Sequence, residues 1–182
     1  AIDNGNKSSN YPNNLGAVSA APWGSASILP ISWTYMFLMG QIGLKKATIV
    51  AILNANYIKK KLEKTYDIPY SDGSLHEFVI SAVKQKNRGV KALDIAKSLL
   101  DYGYHSPTIY FPINVPESMM IEPTESENKE TLDDFAESMI EIDSLIDTNP
   151  NSVLNSPINT PVGRLDETKA NRELDLNFYK KN

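Results

Sequence analysis

The sequence predicts an α/β unit in which a small antiparallel or mixed sheet carries two helices on one face, preceded by two helices without a sheet of their own. Three observations support this fold. Residues 28–62 are dominated by apolar stretches interrupted by Gly40 and Gly43. Beyond residue 64 the hydrophobic pattern runs strand, strand, helix, strand, strand, helix, which is typical of a sheet covered by helices. The last helix has the clearest stripe of apolar side chains.

Composition sets the limits for this fold. The chain has 182 residues, of which 41% are hydrophobic and 22% are charged, so a packed core of ordinary size is expected. The net charge of −4 argues against nucleic-acid binding through a general basic surface. Since the sequence contains no cysteine, disulfides, thiolate metal sites and thiol nucleophiles are excluded.

The first helix follows a segment of loop or disorder, residues 1–16, that is rich in Asn, Ser and Gly. Residues 28–39 are apolar on nearly all sides, which predicts a buried helix. The run is shorter than the roughly 20 apolar residues that a membrane-spanning helix needs. Pro30 suits the first turn, and Ser25 or Ser27 can cap the helix.

Gly40 and Gly43 are expected to break this helix, and a second helix should run from about residue 44 to residue 64. Small and apolar residues recur along one side of it at spacings of three and four. These residues are Ala47, Ala51, Ala55, Ile58 and Leu62. The alanines permit close packing against a neighbouring element.

The remaining elements are shorter. Strands are expected at residues 66–70, 76–83, 108–111 and 118–121. A helix is predicted over residues 90–102, with Gly103 as its C-terminal cap. Thr124 to Glu127 has the spacing of a capping box, which predicts the start of the last long helix there. From Asp147 onward, Asn and Pro accumulate, which indicates an extended tail.

The apolar stripe of the last helix consists of Leu132, Phe135, Met139, Ile142 and Ile146. The acidic residues on its other side are Asp133, Asp134, Glu137 and Glu141. We interpret these acids as a solvated face.

Few residues suggest chemistry by themselves. The two histidines form no metal-binding motif with spaced carboxylates. His105, before a proline, is either a structural side chain or a titratable group that faces a cleft, whereas His76 is interpreted as structural. The segment from Gly24 to Ser27 either caps the first helix or binds a phosphate at its N-terminus. The acidic stretch at residues 122–127 is interpreted as helix capping, with a pair of acid/base carboxylates as the alternative.

Four motifs carry a resemblance to a known family. They read VSAAPWGSASILPISW at residues 18–33, AILNANY at 51–57, DYGYHSPT at 101–108 and IEPTES at 121–126. In this order they resemble the P-protein of the glycine cleavage system, the glycine decarboxylase. INVPESMMI at 113–121 and NTPVGRLDETKA at 159–170 resemble the second subunit of the two-subunit type, so we expect the natural C-terminus to be present.

The resemblance implies a fold type I pyridoxal-phosphate enzyme. Such an enzyme decarboxylates glycine and passes the aminomethyl group to the lipoyl arm of H-protein. In the family the lysine that binds the cofactor follows a His and lies upstream of a glycine-rich run, and neither motif occurs here. The chain is therefore expected to be a C-terminal fragment that is inactive alone and binds no cofactor covalently.

The same resemblance divides the chain. Residues 17–64 would be the terminal helices of the large domain with the interdomain helix, residues 65–147 the small C-terminal α+β domain, and residues 148–182 an extended tail. Gly24, Ser25 and Ser27 would contact the cofactor phosphate, either in their own site or in a neighbouring site of the oligomer. His105 would face the substrate entrance, and no metal is expected.

Partners and location follow from the family too. We expect lipoylated H-protein, the other P-protein subunit and a homo-oligomer as partners, and neither nucleic acid nor membrane. The location would be the bacterial or archaeal cytoplasm, or the mitochondrial matrix in a eukaryote. The alternative function is a non-enzymatic α+β module that binds a ligand or partner. The two apolar helices disfavour it, because a free module should not carry them outside its sheet.

Overall fold

The computed structural model describes residues 25–174. The chain divides into two compact units, Ala1–Lys46 and Ala47–Asn182. Each unit is considered by itself below.

The first unit contains a 3₁₀ turn, Ala26–Ile28, and the first residues of the long helix α1, Leu29–Leu62, whose residues from Ala47 onward belong to the second unit. Gly40 has φ +59° and ψ −179°, so the predicted break at this position is confirmed. Glycine tolerates this backbone because it has no Cβ. Gly43 does not interrupt the helix, contrary to the prediction, since its backbone stays helical. Pro30 lies in the first turn of α1, as expected.

The apolar residues early in α1 are exposed, although the sequence predicted a buried helix. Phe37, Leu38 and Ile42 are 73%, 76% and 85% exposed. Buried positions along α1 are confined to its C-terminal part, from Asn54 onward. By length and composition alone, the stretch Ala26–Leu62 is also apolar enough to cross a membrane. An apolar pattern identifies the helix faces that favour burial, but it does not identify what those faces pack against.

The second unit contains a three-stranded antiparallel sheet, which confirms the predicted small sheet. Its strands are β1, Phe78–Ser81, β2, Thr108–Ile109, and β3, Ser118–Ile121. The order is β1-β3-β2, so β3 is central. Phe78 pairs with Ile121 and Thr108 pairs with Met120. The ends of β2 and β3 therefore lie side by side.

The strand predicted at residues 66–70 is wrong. Only an isolated bridge between Asp67 and Ser81 forms there. The amide of Tyr66 instead donates to the Leu62 carbonyl and closes the end of α1. The Tyr66 side chain is fully buried, and its hydroxyl donates to the Met139 carbonyl over 2.9 Å. Burial also raises the pKa of Tyr66. Helix termination and core packing therefore use the groups that a strand would need.

Up to residue 174, where the described part of the chain ends, five further helices follow α1. They are α2, Val83–Asn87, α3, Ala92–Asp101, α4, Lys129–Thr148, α5, Pro150–Asn155, and α6, Glu167–Arg172. Gly103 ends α3 with φ +83°, as predicted. Its amide donates to the Leu100 carbonyl, and the amide of Tyr104 donates to the Leu99 carbonyl. This is the hydrogen-bond pattern of a Schellman motif.

Helix α4 begins later than its predicted capping box. Its N-cap is Asn128, whose side-chain oxygen accepts from the Thr131 amide over 2.8 Å. The Thr124 hydroxyl instead lies 2.6 Å from the Ser126 hydroxyl. The Thr124 carbonyl accepts from the Asn54 side chain over 2.9 Å. A tertiary contact thus keeps Thr124 in a turn before the helix.

The predicted stripe of α4 forms part of the core. Leu132, Met139, Ile142 and Ile146 are buried, whereas Phe135 is partly buried. The core also contains the C-terminal part of α1, all of whose buried apolar residues lie at or beyond Ala55. One cluster therefore joins α1, the sheet, α3 and α4 within the second unit.

The sequence predicted an extended tail, but the tail contains the helices α5 and α6. Between these helices, the Asp101 carboxylate of α3 accepts hydrogen bonds from the Ile158 and Asn159 amides. Arg164 forms an ion pair with Asp94 near the other end of α3, with 2.8 Å between nitrogen and oxygen. These side chains fasten residues 156–164 to α3.

Candidate functional site

The candidate site is a cleft of about 390 Å³ in the second unit. Apolar side chains of Ile58, Met120, Leu132 and Phe135 contribute to its lining. Two loops complete it, residues 104–108 after α3 and residues 122–124 after β3. The cleft therefore lies where β2 begins and β3 ends, next to the first turns of α4.

The loop at residues 104–108 is held by the end of α3 and by an aromatic contact. Gly103 reverses the chain, and the ring of Tyr104 then packs edge-on against Phe135, with 5.2 Å between ring centroids. Burial raises the pKa of the Tyr104 hydroxyl. His105 follows in the lining of the cleft and remains exposed to solvent. This placement suits a side chain that contacts a ligand.

The loop at residues 122–127 is held by a side chain of α1. Asn54 donates to the Thr124 carbonyl over 2.9 Å and to the Glu127 carbonyl over 3.3 Å. Thr124 and Glu127 both line the cleft. Three of the four motifs that carry the resemblance thus meet here: residues 104–108 of one and 121–124 of another line the cleft, and Asn54 of a third holds one of its loops.

A polar network joins α1 to α4 beside this loop. The Tyr57 hydroxyl donates to Asp133 over 2.6 Å. The ammonium groups of Lys61 and Lys129 lie 2.6 Å and 2.5 Å from the Asp133 carboxylate. Hydrogen bonds from Lys129, Lys61 and Tyr57, in that order of size, hold the pKa of Asp133 well below its usual range. The interpretation of Asp133 as part of a solvated face is therefore wrong.

The charged groups of the cleft are mainly acidic. Glu122 and Glu127 line it together with His105. His76, the second histidine, lies outside the lining, with its Nε2 3.8 Å from Oε1 of Glu122. Apolar walls with carboxylates and one imidazole can hold a ligand that has an apolar stem and a polar end.

The predicted phosphate-binding residues Ser25 and Ser27 belong to the first unit. Gly24, the third predicted residue, lies outside the described residues. Ser25 precedes the 3₁₀ turn with φ −93° and ψ 91°, and its side chain makes no cap hydrogen bond. Its predicted side-chain cap is therefore wrong. Ser27 lies within the turn, and both serines are exposed.

Sequence reasoning missed the roles of Asn54, Tyr57 and Asp133 in holding the loop and the start of α4. A signal was available for Asn54, which lies three residues after Ala51 and four before Ile58, on the apolar side of the helix. A polar residue at such a position needs a buried hydrogen-bond partner. Within residues 25–174, no group of three or more His, Cys, Asp or Glu side chains is placed to hold a metal.

Comparison with known proteins gives one consistent result. A family model described as "Glycine dehydrogenase, C-terminal domain" matches residues 47–160. The chain is 50% identical over 171 residues to probable glycine dehydrogenase (decarboxylating) subunit 2 of Lysinibacillus sphaericus, covering 94% of the chain and 35% of that protein. Identity is 51% over 166 residues to the protein so named from Staphylococcus saprophyticus, covering 91% of the chain and 34% of that protein. The protein so named from Chloroherpeton thalassium is 48% identical over 170 residues, which cover 93% of the chain and 34% of that protein. The chain spans about a third of the length of these relatives.

Proposed function

The chain belongs to the family of the glycine dehydrogenase C-terminal domain, and on this premise we propose that it is the C-terminal part of a pyridoxal-phosphate-dependent glycine decarboxylase. The enzyme decarboxylates glycine and passes the aminomethyl group to the lipoyl arm of H-protein. The observation that carries the proposal is the meeting of three family motifs at one cleft. Residues distant in sequence converge there on a ligand-sized space.

The first unit suits the phosphate of the cofactor. The start of a long helix directs backbone N–H groups toward an anion, and its dipole favours negative charge. Neither the 3₁₀ turn nor the first turn of α1 contains an acidic side chain that would repel a phosphate. Ser25 and Ser27 add hydroxyl donors, and Gly24 completes the proposed contact set. When bound, pyridoxal phosphate supplies the electron sink for decarboxylation.

His105 has the role of a substrate-facing side chain in this proposal. It lies in the lining of the cleft and is exposed, so it can hydrogen-bond to glycine or to the lipoyl arm. The lysine that binds the cofactor covalently belongs to another part of the full enzyme, and this chain alone is inactive. The proposed partners are lipoylated H-protein, the other P-protein subunit and a second copy of the same chain. The proposed location is the cytoplasm of a bacterium or archaeon, or the mitochondrial matrix of a eukaryote.

The exchange of bicarbonate into glycine tests this function in the full enzyme that contains the chain. The unmodified enzyme should catalyse exchange only with pyridoxal phosphate. His105→Asn should lower exchange roughly 2- to 12-fold, because one hydrogen bond is worth about 0.5–1.5 kcal/mol. Its melting temperature should stay unchanged, since the His105 side chain is exposed.

His76→Asn is the matched control, because His76 is the only other histidine in the chain and lies outside the lining of the cleft. It should leave exchange unchanged. Absence of exchange in the unmodified enzyme would overturn the proposed function. A His105→Asn enzyme that loses thermal stability, but keeps its turnover per folded molecule, would instead make His105 structural.

A further inference from the structure

We infer that Asn54 is a positioning residue, which acts through the loop at residues 122–127 and sets the geometry of ligand binding in the cleft. This inference rests on the proposed function insofar as the ligand is a substrate of glycine decarboxylase. Asn54 itself does not line the cleft. Its effect is exerted through backbone atoms of the loop, whereas Glu122, Thr124 and Glu127 of the loop line the cleft.

The geometry of Asn54 is the first argument. The residue is only 7% exposed, and its side-chain nitrogen donates to two carbonyls separated from it by 70 and 73 residues of sequence. These carbonyls, of Thr124 and Glu127, mark the two ends of one turn, which the Glu127 amide closes by donating to the Thr124 carbonyl over 3.3 Å. A single amide group therefore fixes both ends of the turn relative to α1.

The chemistry of the side chain is the second argument. A primary amide supplies two hydrogens from one nitrogen, so it can satisfy two acceptors at once. An aspartate at this position would direct carboxylate oxygens at two carbonyl oxygens, and an apolar residue would leave both bonds unmade. Burial of an amide on the apolar side of a helix is unfavourable unless it is hydrogen-bonded. The bonds to the loop thus account for an asparagine at position 54.

Residues next to Asn54 on α1 contact other parts of the protein, so the contact with the loop at residues 122–127 is specific to Asn54. Tyr57 bonds to Asp133 on α4 itself, beyond the loop. Asn56 donates to the Ile52 carbonyl of its own helix and to the Ser74 carbonyl, over 2.8 Å and 3.2 Å. Asn56 is therefore a matched control: the same residue type on the same helix, bonded to a segment outside the cleft.

The geometric part of the proposal is tested on the chain by amide hydrogen exchange and by NMR of its two histidines. In Asn54→Ala, amides near the start of α4, such as those of Thr131 and Leu132, should exchange roughly five- to tenfold faster, because their turn loses its anchor. The imidazole resonances of His76 should also shift, since Glu122 lies 3.8 Å away. Asn56→Ala should leave the exchange of the Thr131 and Leu132 amides unchanged, because Asn56 bonds to the segment at Ser74 and not to the loop. Unchanged exchange and resonances in Asn54→Ala would overturn the inference.

The functional part is tested in the full enzyme. Asn54→Ala should raise the KM of glycine or of lipoylated H-protein about tenfold while kcat falls less than twofold, as expected when ground-state and transition-state binding are lost together. A purely structural role would lower the yield of active enzyme at unchanged KM, and that outcome would overturn the inference. If Asn54→Ala does not fold, Asn54→Ser, which keeps one donor, should show the same changes at smaller size, and unaltered KM values there would equally refute it. An unmodified enzyme without exchange activity would refute the proposed function, while the hydrogen-exchange result would still decide the geometry.

Discussion

Replacing Arg164 by methionine should loosen the tail from α3. The Arg164 guanidinium donates to Asp94 over 2.8 Å and to the carbonyls of Ser156 and Val153. Methionine keeps much of the apolar stem and removes every donor. The family match ends at residue 160. The prediction therefore tests whether the folded unit extends past the matched segment.

The magnitude follows from the exposure of the two partners. A hydrogen bond to a charged group contributes about 1.5–3 kcal/mol to stability. The Asp94 side chain is only 12% exposed, but that of Arg164 is 31% exposed, so water partly replaces the lost partner. The lower end of the range, about 1.5–2 kcal/mol, is therefore expected. For a chain of this size, it corresponds to a fall in melting temperature of roughly 3–8 °C.

Urea denaturation measures the free energy of unfolding, and amide exchange at Ile158 and Asn159 reports on the tail directly. Both amides donate to Asp101 and should exchange faster in Arg164→Met. Arg172→Met on the exposed helix α6 is the matched control and should stay within about 0.5 kcal/mol of the unmodified chain. Equal stabilities of the two variants would refute the reasoning, because the tail would then be held without Arg164.

Two further predictions concern the network at α4 and the proposed phosphate site. The pKa of the Asp133 carboxyl is lowered by folding, so its ionised form stabilises the fold above the ordinary value of 3.8, and this contribution is lost as the pH falls below it. The fall in urea midpoint between pH 7 and pH 3 should therefore be smaller in Asp133→Asn than in the unmodified chain. In the control Asp134→Asn, at the exposed neighbouring position, the fall should equal that of the unmodified chain. Equal falls in the two variants would contradict the assignment. In the full enzyme, Ser25→Ala or Ser27→Ala should weaken pyridoxal-phosphate affinity about 10- to 100-fold in a spectroscopic titration, since one charged hydrogen bond is lost. Ser32→Ala is the control within α1, and unchanged affinity in the two serine variants would leave the segment only a helix start.

Elements with local signals were predicted well. The strand at residues 118–121 and the glycine cap at Gly103 depend on neighbouring side chains, and both agree with the structure. Elements that compete with tertiary contacts were predicted badly. Residues 66–70 have the composition of a strand, yet Tyr66 is drawn into the core. The capping box at Thr124 has suitable spacing, yet the helix begins later, and the Thr124 carbonyl accepts a hydrogen bond from Asn54.

The sequence by itself determined the family, the exclusion of cysteine chemistry, the small sheet with helices and the apolar stripe of α4, because motif order and periodicity are properties of consecutive residues. Only the tertiary structure decided which motifs meet. The bonds from Asn54 to the loop at residues 122–127 and from Tyr57 to Asp133 cross 70 or more positions of sequence. No local pattern encodes such a pairing, since it depends on how α1, the sheet and α4 pack around their shared core. The cleft beside His105 exists for the same reason: it is a space between elements whose separation is set by that packing.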